Sequence, residues 1–414
     1  MISKGNIKPE NVLPGALVSL IQKGVQYMEL ETHIDSEGNY RECLNPFTLL
    51  QNHECSTPEV AQTVTEPYTV SKMKQSERIL LEGHKEEAYV CSWSPNDEIL
   101  ASGSGDSTCR LWRTDSCIVL RHEPDNKDVT SLDWNANGSL LATGGYDGYT
   151  RIWNAQGELV VSRKMHVGPI FTMEWNKKGN LLLSGGFDKV ACVWNPLTDE
   201  VVQRFEFHTS ATLDAHWKNN AVFATCSTDK TIKICKIGSS KELMTFRGHT
   251  DEINSIQWDP SGSLLASGSD DHTAKIWDPK QENFLFDLKT HTKEIYTVRW
   301  SPTGPKTRNP NADLVLATAS FDSTVKLWNP FNGQCIHTLS SHEMPVYSVS
   351  FSPNGSLIAT GSFDTTVKVW QVQSGKLIKD YEATSGVFEV EFNHKGDKIA
   401  ACTSGSTVCV FSLE

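Results

Sequence analysis

Short apolar runs alternate with polar turn clusters along most of this chain, and the alternation keeps a fixed beat. A half-alternating run such as VTSLDW (129–134) or IYTVRW (295–300) leads into a turn such as SPNG (352–355) or DPSG (259–262). A second run of small and apolar residues, as in LLASGS (264–269), gives way to a short turn carrying an aspartate, then to a third run such as STVKLW (323–328). Such runs, bounded by Gly, Pro, Asn and Asp, predict β-strands joined by tight turns. Laid over itself, the chain shows an anchor at Trp112, Trp153, Trp194, Cys235, Trp277, Trp328, Trp370 and Phe411, spaced by 41, 41, 41, 42, 51, 42 and 41 residues. That is the period of a four-stranded propeller blade. An all-β, eight-bladed propeller is predicted.

Three further columns run in register with the anchor. Six residues before it stand Asp106, Asp147, Asp188, Asp229, Asp271, Asp322 and Asp364, with Gly405 in the eighth repeat. Ten residues before it stand Ser102, Thr143, Ser184, Thr225, Ser267, Thr318 and Thr360, with Ala401 last. Upstream lie His84, His122, His166, His208, His249, His291 and His342, with Ala383 last. Asp, His, Ser/Thr and Trp together make a hydrogen-bond chain that ties a loop to two strands, each bond worth roughly 1 kcal/mol net. No catalytic or metal role is expected for them, because a reactive pair would not recur once per blade. The last repeat stops after its third strand, while SERILLEGH (76–84) matches KELMTFRGH (241–249), a fourth strand elsewhere. The N-terminal piece is therefore expected to complete the eighth blade, leaving only short, protected sheet edges.

The first 76 residues lack the repeat. In 13–34, Leu17, Leu20, Ile21, Val25 and Met28 fall at helical spacing behind Pro14, which predicts an amphipathic helix. A second short helix is expected at 45–52, and the Thr- and Pro-bearing stretch after it reads as a linker. The expected division is a helical segment at 1–53, a linker at 54–76 and the propeller at 77–414.

Five residues after each network histidine, at the inner end of a loop, come Tyr89, Phe171, Leu213, Asn254, Tyr296 and Tyr347; Thr130 and Phe388 hold the position in blades two and eight. Five of the eight are aromatic, and Glu86, Glu87, Asp128, Asp251, Glu252, Glu294 and Glu343 precede them against Lys85, Lys127 and Lys293. An aromatic mouth with an acidic rim suits a peptide bearing Lys or Arg, by cation–π contact and charge pairing. Composition agrees: 50 acidic against 38 basic side chains give a formal charge of −12, which favours basic partners over direct DNA binding. The 11 cysteines show no CxxC pair or zinc spacing and read as reduced thiols of an intracellular protein; no metal and no cofactor is expected. No apolar run is long enough to span a membrane and no signal pattern opens the chain. Phosphate-cradling Gly loops, HExxH and a nucleophile elbow are missing, so no enzyme is expected.

Several stretches resemble a known family more closely. NKDVTSLDWN (126–135), WNKKGN (175–180), 301–328 with its long insertion, and GVFEVEFNHKGDK (386–398) are similar to the transducin-beta-like corepressor subunits. LPGALVSLIQKGVQYMELE (13–31) resembles the segment of that family described as F-box-like. The resemblance covers nearly the whole chain. It implies a nuclear scaffold in complexes of nuclear-receptor corepressors with a class I histone deacetylase, contact with histone tails, and a link to ubiquitin-conjugating machinery. The family's dimerising motif ahead of the F-box-like segment is absent from this chain, so self-association through it is not expected. The alternative is a substrate-recognition subunit of a ubiquitin ligase. Against it, no blade carries Trp-Asp-x-Arg after its third strand; Trp277-Asp278-Pro279-Lys280 comes nearest.

Overall fold

The computed structural model describes residues 78–122 and 128–413, so the expected helices and linker lie outside the described residues. Within them, thirty-two strands form eight four-stranded antiparallel sheets, the blades of a propeller. Blade one takes its strands in chain order, Ala88–Trp93, Leu100–Ser104, Thr108–Arg113 and Ser116–Arg121, from the central channel outward. Blades two to seven repeat that order. Blade eight consists of Val387–Phe392, Lys398–Thr403 and Val408–Ser412, with Arg78–Leu81 as its outer strand. The two ends of the ring are paired from Arg78 opposite Phe411 to Leu81 opposite Val408. Arg78 also donates from Nη1 to the carbonyl of Glu382 at 2.7 Å.

The core lies between blades. Ile276 of blade five packs with Ile295, Val298, Leu316 and Trp328 of blade six, and the interfaces of blades six with seven and one with two are built the same way. The second strand of a blade is covered on both faces, which is why runs such as Leu265–Ser269 are small, apolar and buried at every position. Outer strands have one wet side and alternate accordingly, as in Leu377–Glu382.

The repeated polar residues join in side-chain chains. In blade six, Trp328 Nε1–H donates to Thr318 Oγ1 (2.9 Å), Thr318 Oγ1–H to His291 Nε2 (2.7 Å), and His291 Nδ1–H to Asp322 (2.8 Å). The same chain links Trp112, Ser102, His84 and Asp106 in blade one, and Trp370, Thr360, His342 and Asp364 in blade seven. The aspartate does more than receive the imidazole. Asp322 also accepts Thr292 N–H (3.0 Å) from the loop before the blade, and Thr324 N–H (3.0 Å) across its own turn. That turn needs support, because the residue after each aspartate adopts a left-handed φ, such as Ser107 at 64°, Ser323 at 65° and Thr365 at 67°. Burial alone would raise the Asp322 carboxyl, but hydrogen bonds from His291 and Thr324 outweigh it and hold the group well below the usual carboxylate range.

Four blades depart from this pattern. In blade two, Arg151 takes over Asp147 (2.7 Å) and its Nη1–H points at His122 Nδ1 (3.3 Å). His122 Nδ1 is then an acceptor, so the ring proton sits on Nε2 and is given to Thr143 at 2.8 Å. Burial first and Arg151 second push the His122 pKa down to about 3, in keeping with a neutral ring. In blade three the indole Nε1 of Trp194 has no acceptor. Blade four has Cys235 in place of the indole, and blade eight has Ala383, Ala401, Gly405 and Phe411. Tyr381 supports blade eight instead, its ring 4.7 Å from that of Phe411 and its hydroxyl donating to Ser412 O at 2.7 Å.

Two outcomes test this account. Deleting residues 1–81 removes the outer strand of blade eight and should lower the melting temperature by several degrees or abolish folding, whereas deleting 1–70 should leave it unchanged. Equal melting points for the two truncations would mean that the strand does not close the ring. Asp322→Ala strands buried donors and should cost roughly 1–3 kcal/mol in denaturant unfolding, while Asp313→Ala, on the exposed insertion, should cost under about 0.5 kcal/mol. Similar losses at both sites would rule out a special role for Asp322.

Candidate functional site

In every blade the pairing of the first strand with the second skips one residue. The skipped residues are Tyr89, Thr130, Phe171, Leu213, Asn254, Tyr296, Tyr347 and Phe388, the same column that the sequence places at the mouth. A bulge leaves its extra residue outside the ladder and re-aims the side chain. Eight bulges around one axis therefore deliver eight side chains to the same end of the channel.

The aromatic members are not evenly placed. Tyr89 meets Phe388 (ring centroids 6.1 Å apart), Phe388 meets Tyr347 (5.9 Å), and Tyr347 meets Tyr296 (5.4 Å), an arc across blades one, eight, seven and six. Two rings missed in the sequence complete it. Phe321 stacks on Tyr296 (5.8 Å) and Phe363 lies 6.1 Å from both Tyr347 and Phe388. Both stand one residue before the network aspartate, in the loop between second and third strands. Reading that column as Gly105, Tyr146, Phe187, Thr228, Asp270, Phe321, Phe363 and Ser404 would have found them.

From the sequence all five bulge rings are expected to offer their faces to a peptide, and the structure corrects this. Tyr347 is 1% exposed, Phe388 4% and Phe171 8%, because neighbouring rings and blades cover them. They form the floor. Tyr89 and Tyr296, half-buried, are the two ends that reach solvent. The acidic rim is likewise thinned: Asp251 is paired with Lys230 at 3.2 Å, and Glu294 lies 4.0 Å from His272. Burial, then Asp270 and Asp251, raise Glu252 to about 7, so it carries only part of a charge at neutral pH. Glu86 and Glu343 are exposed. Gly105 makes room for the blade-one end, since a Cβ there would stand 3.0 Å from both Glu86 Oε2 and the Tyr89 hydroxyl. Burial, then Asp128, Glu87 and Glu86, raise the Tyr89 pKa, so its hydroxyl stays neutral.

Below the mouth runs a second repeated arrangement. The inner strand of each blade is a sheet edge, and in blades one, three, four, five, six and eight its N–H groups are capped by side chains of the preceding blade. Trp93 N–H donates to Glu391 (2.7 Å), Trp175 N–H to Asp133 (2.7 Å), Trp217 N–H to Glu174 (2.6 Å) and Trp300 N–H to Gln257 (2.6 Å). The position before the strand-end aromatic supplies these acceptors. Burial pushes Asp133 up to about 7 and Glu391 to about 8, the neighbouring Glu389 adding to the rise at Glu391; burial also raises Glu174.

The belt makes a prediction about pH. A carboxyl whose pKa is raised on folding adds stability in full below its unfolded value of about 4, and that stability is lost as pH climbs through the folded value. Glu391→Gln keeps the acceptor for Trp93, as Gln257 does for Trp300, and removes the charge. It should leave stability near pH 4 unchanged and raise it at pH 8.5 by roughly 1–3 kcal/mol. A lower melting temperature for the variant at pH 8.5 would show that the ionised carboxylate is needed.

Comparison with known proteins adds the following. Residues 240–278, 282–329 and 333–371 match the WD domain, G-beta repeat, and 91–178 match the anaphase-promoting complex subunit 4 WD40 domain. The F-box-like/WD repeat-containing protein TBL1X of Mus musculus is 42% identical over the whole chain and 93% of its own length. TBL1Y of Homo sapiens is 42% identical over the whole chain and 94% of its length. The WD40 repeat-containing protein HOS15 of Arabidopsis thaliana is 50% identical over 83% of the chain and 59% of its own length. The crystal structure of the C-terminal WD40 domain of Sif2 superposes with a TM-score of 0.71 at 26% identity, over 81% of this chain and 99% of that one.

Proposed function

The chain belongs to the F-box-like/WD-repeat family of non-enzymatic propeller scaffolds, and from that premise we propose that it binds basic peptides at the mouth as a subunit of a nuclear corepressor complex. The carrying observation is the aromatic arc over blades six, seven, eight and one, ended by two half-exposed tyrosines, with exposed Glu86 and Glu343 on the loops that lead into it. Such a surface attracts an ammonium or guanidinium group through ring faces and carboxylates together. The resemblance of 126–135, 301–328 and 386–398 to the transducin-beta-like subunits points to a corepressor protein, a histone deacetylase and histone tails as partners, and to the nucleus as location. The phrase F-box-like in the relatives' names favours a second reading, substrate recognition for a ubiquitin ligase. Purification from nuclei separates the two by whether deacetylase or ligase subunits come with the chain.

The mouth is tested by titrating a labelled lysine-rich histone-tail peptide against variants. Tyr89→Ala and Tyr296→Ala should each weaken binding by about 0.5–2 kcal/mol with circular dichroism unchanged. Tyr347→Ala should instead destabilise the fold, since it empties the floor. Acetylating the peptide's lysines should imitate the tyrosine variants, and Glu294→Lys should slow association and flatten its salt dependence. Undiminished affinity in both tyrosine variants would place the binding surface elsewhere.

A further inference from the structure

The insertion that lengthens blade six is tightly folded. Thr303 Oγ1–H donates to Asp313 O (2.8 Å) and Gly304 N–H to Asn309 O (3.0 Å). The Asn309 amide donates both inward, to Pro302 O (2.9 Å), and across to Pro353 O of blade seven (3.0 Å). Lys306 reaches back to Ser261 O of blade five at 3.3 Å. Blade seven is shaped to receive the loop: at Gly355, φ +71°, a Cβ would stand 2.3 Å from Thr303 Cγ2. Ordering backbone costs conformational entropy. Long ordered loops with little apolar burial are usually functional.

This loop, the turn of blade seven and the turn of blade eight line an open cavity of about 210 Å3 at the end of the ring opposite the mouth. Arg308, Asn354 and Lys395, from blades six, seven and eight in turn, all line it. Arg308 is exposed and has no ion pair among the described residues. Lys395 and Lys398 both bind the single carboxylate of Glu98, whose pKa they draw down to about 2, so two ammonium groups share one negative charge. Asn354 Oδ1 is taken by Ser356 N–H (3.0 Å) and by neighbouring hydroxyls, which leaves its Nδ2 hydrogens for another acceptor. Asp397, on the same turn as Lys395, is occupied by the Asn393 amide at 2.6 Å. On a chain of net charge −12 this is a local concentration of cations and donors around a hollow.

We propose that this cavity is a second docking site, independent of the mouth, which takes an acidic peptide by seating one carboxylate or phosphate side chain between Arg308 and Lys395. A guanidinium grips either group through paired N–H donors, and the ammonium opposite supplies the second charge. A net charge of −12 disfavours a polyanion as long as a nucleic acid, which needs a broad basic track. The scaffold then holds partners of opposite charge on opposite faces.

The test uses the full chain and a fluorescein-labelled peptide rich in glutamate around one serine, phosphorylated or not, read by fluorescence anisotropy. Both forms should bind saturably, and a stronger phosphopeptide would identify phosphate as the preferred source, with inorganic phosphate competing against it. Arg308→Glu should weaken binding by about tenfold or more, while Lys178→Glu, on the matching turn of blade three, should change it by less than about twofold. Both substituted residues are exposed, so melting temperatures should match wild type. Failure of both peptides to saturate, or equal losses in the two variants, would overturn the proposal. Stronger, Arg308-dependent binding of a single-stranded oligonucleotide would overturn the choice of a peptide. The histone-tail peptide should bind Arg308→Glu normally, so failure here and failure of the mouth are read separately.

Discussion

One carboxylate per blade carries the geometry of most of this ring. Asp106, Asp229, Asp271, Asp322 and Asp364 each accept an imidazole N–H, a backbone N–H from the loop entering the blade, and a backbone N–H across a turn whose next residue is left-handed. Two stretches of chain, the loop entering the blade and the turn between its second and third strands, are fixed by one buried side chain. The loop so fixed ends at the bulge that delivers a side chain to the mouth. A peptide-binding rim built on loops is as rigid as its anchors, and here the anchors are hydrogen-bonded and dry.

This dependence explains what the sequence made legible. A chain of indole, hydroxyl, imidazole and carboxylate admits few substitutes, so its columns repeat visibly from Ser102 to Trp370, and blade number and closure followed from counting. The bulge column was legible by position but not by exposure. Whether Tyr347 faces water depends on Phe321 and Phe363, which come from other loops, and no spacing rule reports that. The capping belt escaped notice for the opposite reason. Any acceptor serves there, so Asp133, Glu174, Gln257, Ser350 and Glu391 share a role without sharing a residue type. The substitution of Arg151 into the second network was written in the sequence, but its consequence, a reversed imidazole, needed the 3.3 Å contact to be seen.

The junction of blades eight and one brings these devices together. Blade eight has none of the four network residues, and its outer strand comes from the far end of the chain, so on local grounds it is the weakest place in the ring. Capping is doubled here by two carboxylates, where the junction of blades seven and eight uses two serines: Glu389 takes Cys91 N–H at 2.8 Å and Glu391 takes Trp93 N–H at 2.7 Å. Glu98 of blade one, in turn, binds Lys395 and Lys398 of blade eight. Polar contacts between blades thus replace the polar chain within a blade. The exchange has a consequence for binding, because Tyr89 and Phe388 face each other across this same junction and the acidic-peptide cavity borders on Lys395. A partner seated at the mouth over Tyr89 and Phe388 bridges blades that are otherwise held by carboxylates with shifted pKa values and by one borrowed strand, whereas the cavity is lined by blades six, seven and eight. A ligand at the mouth that spans blades eight and one would stabilise the closed ring by its own binding free energy.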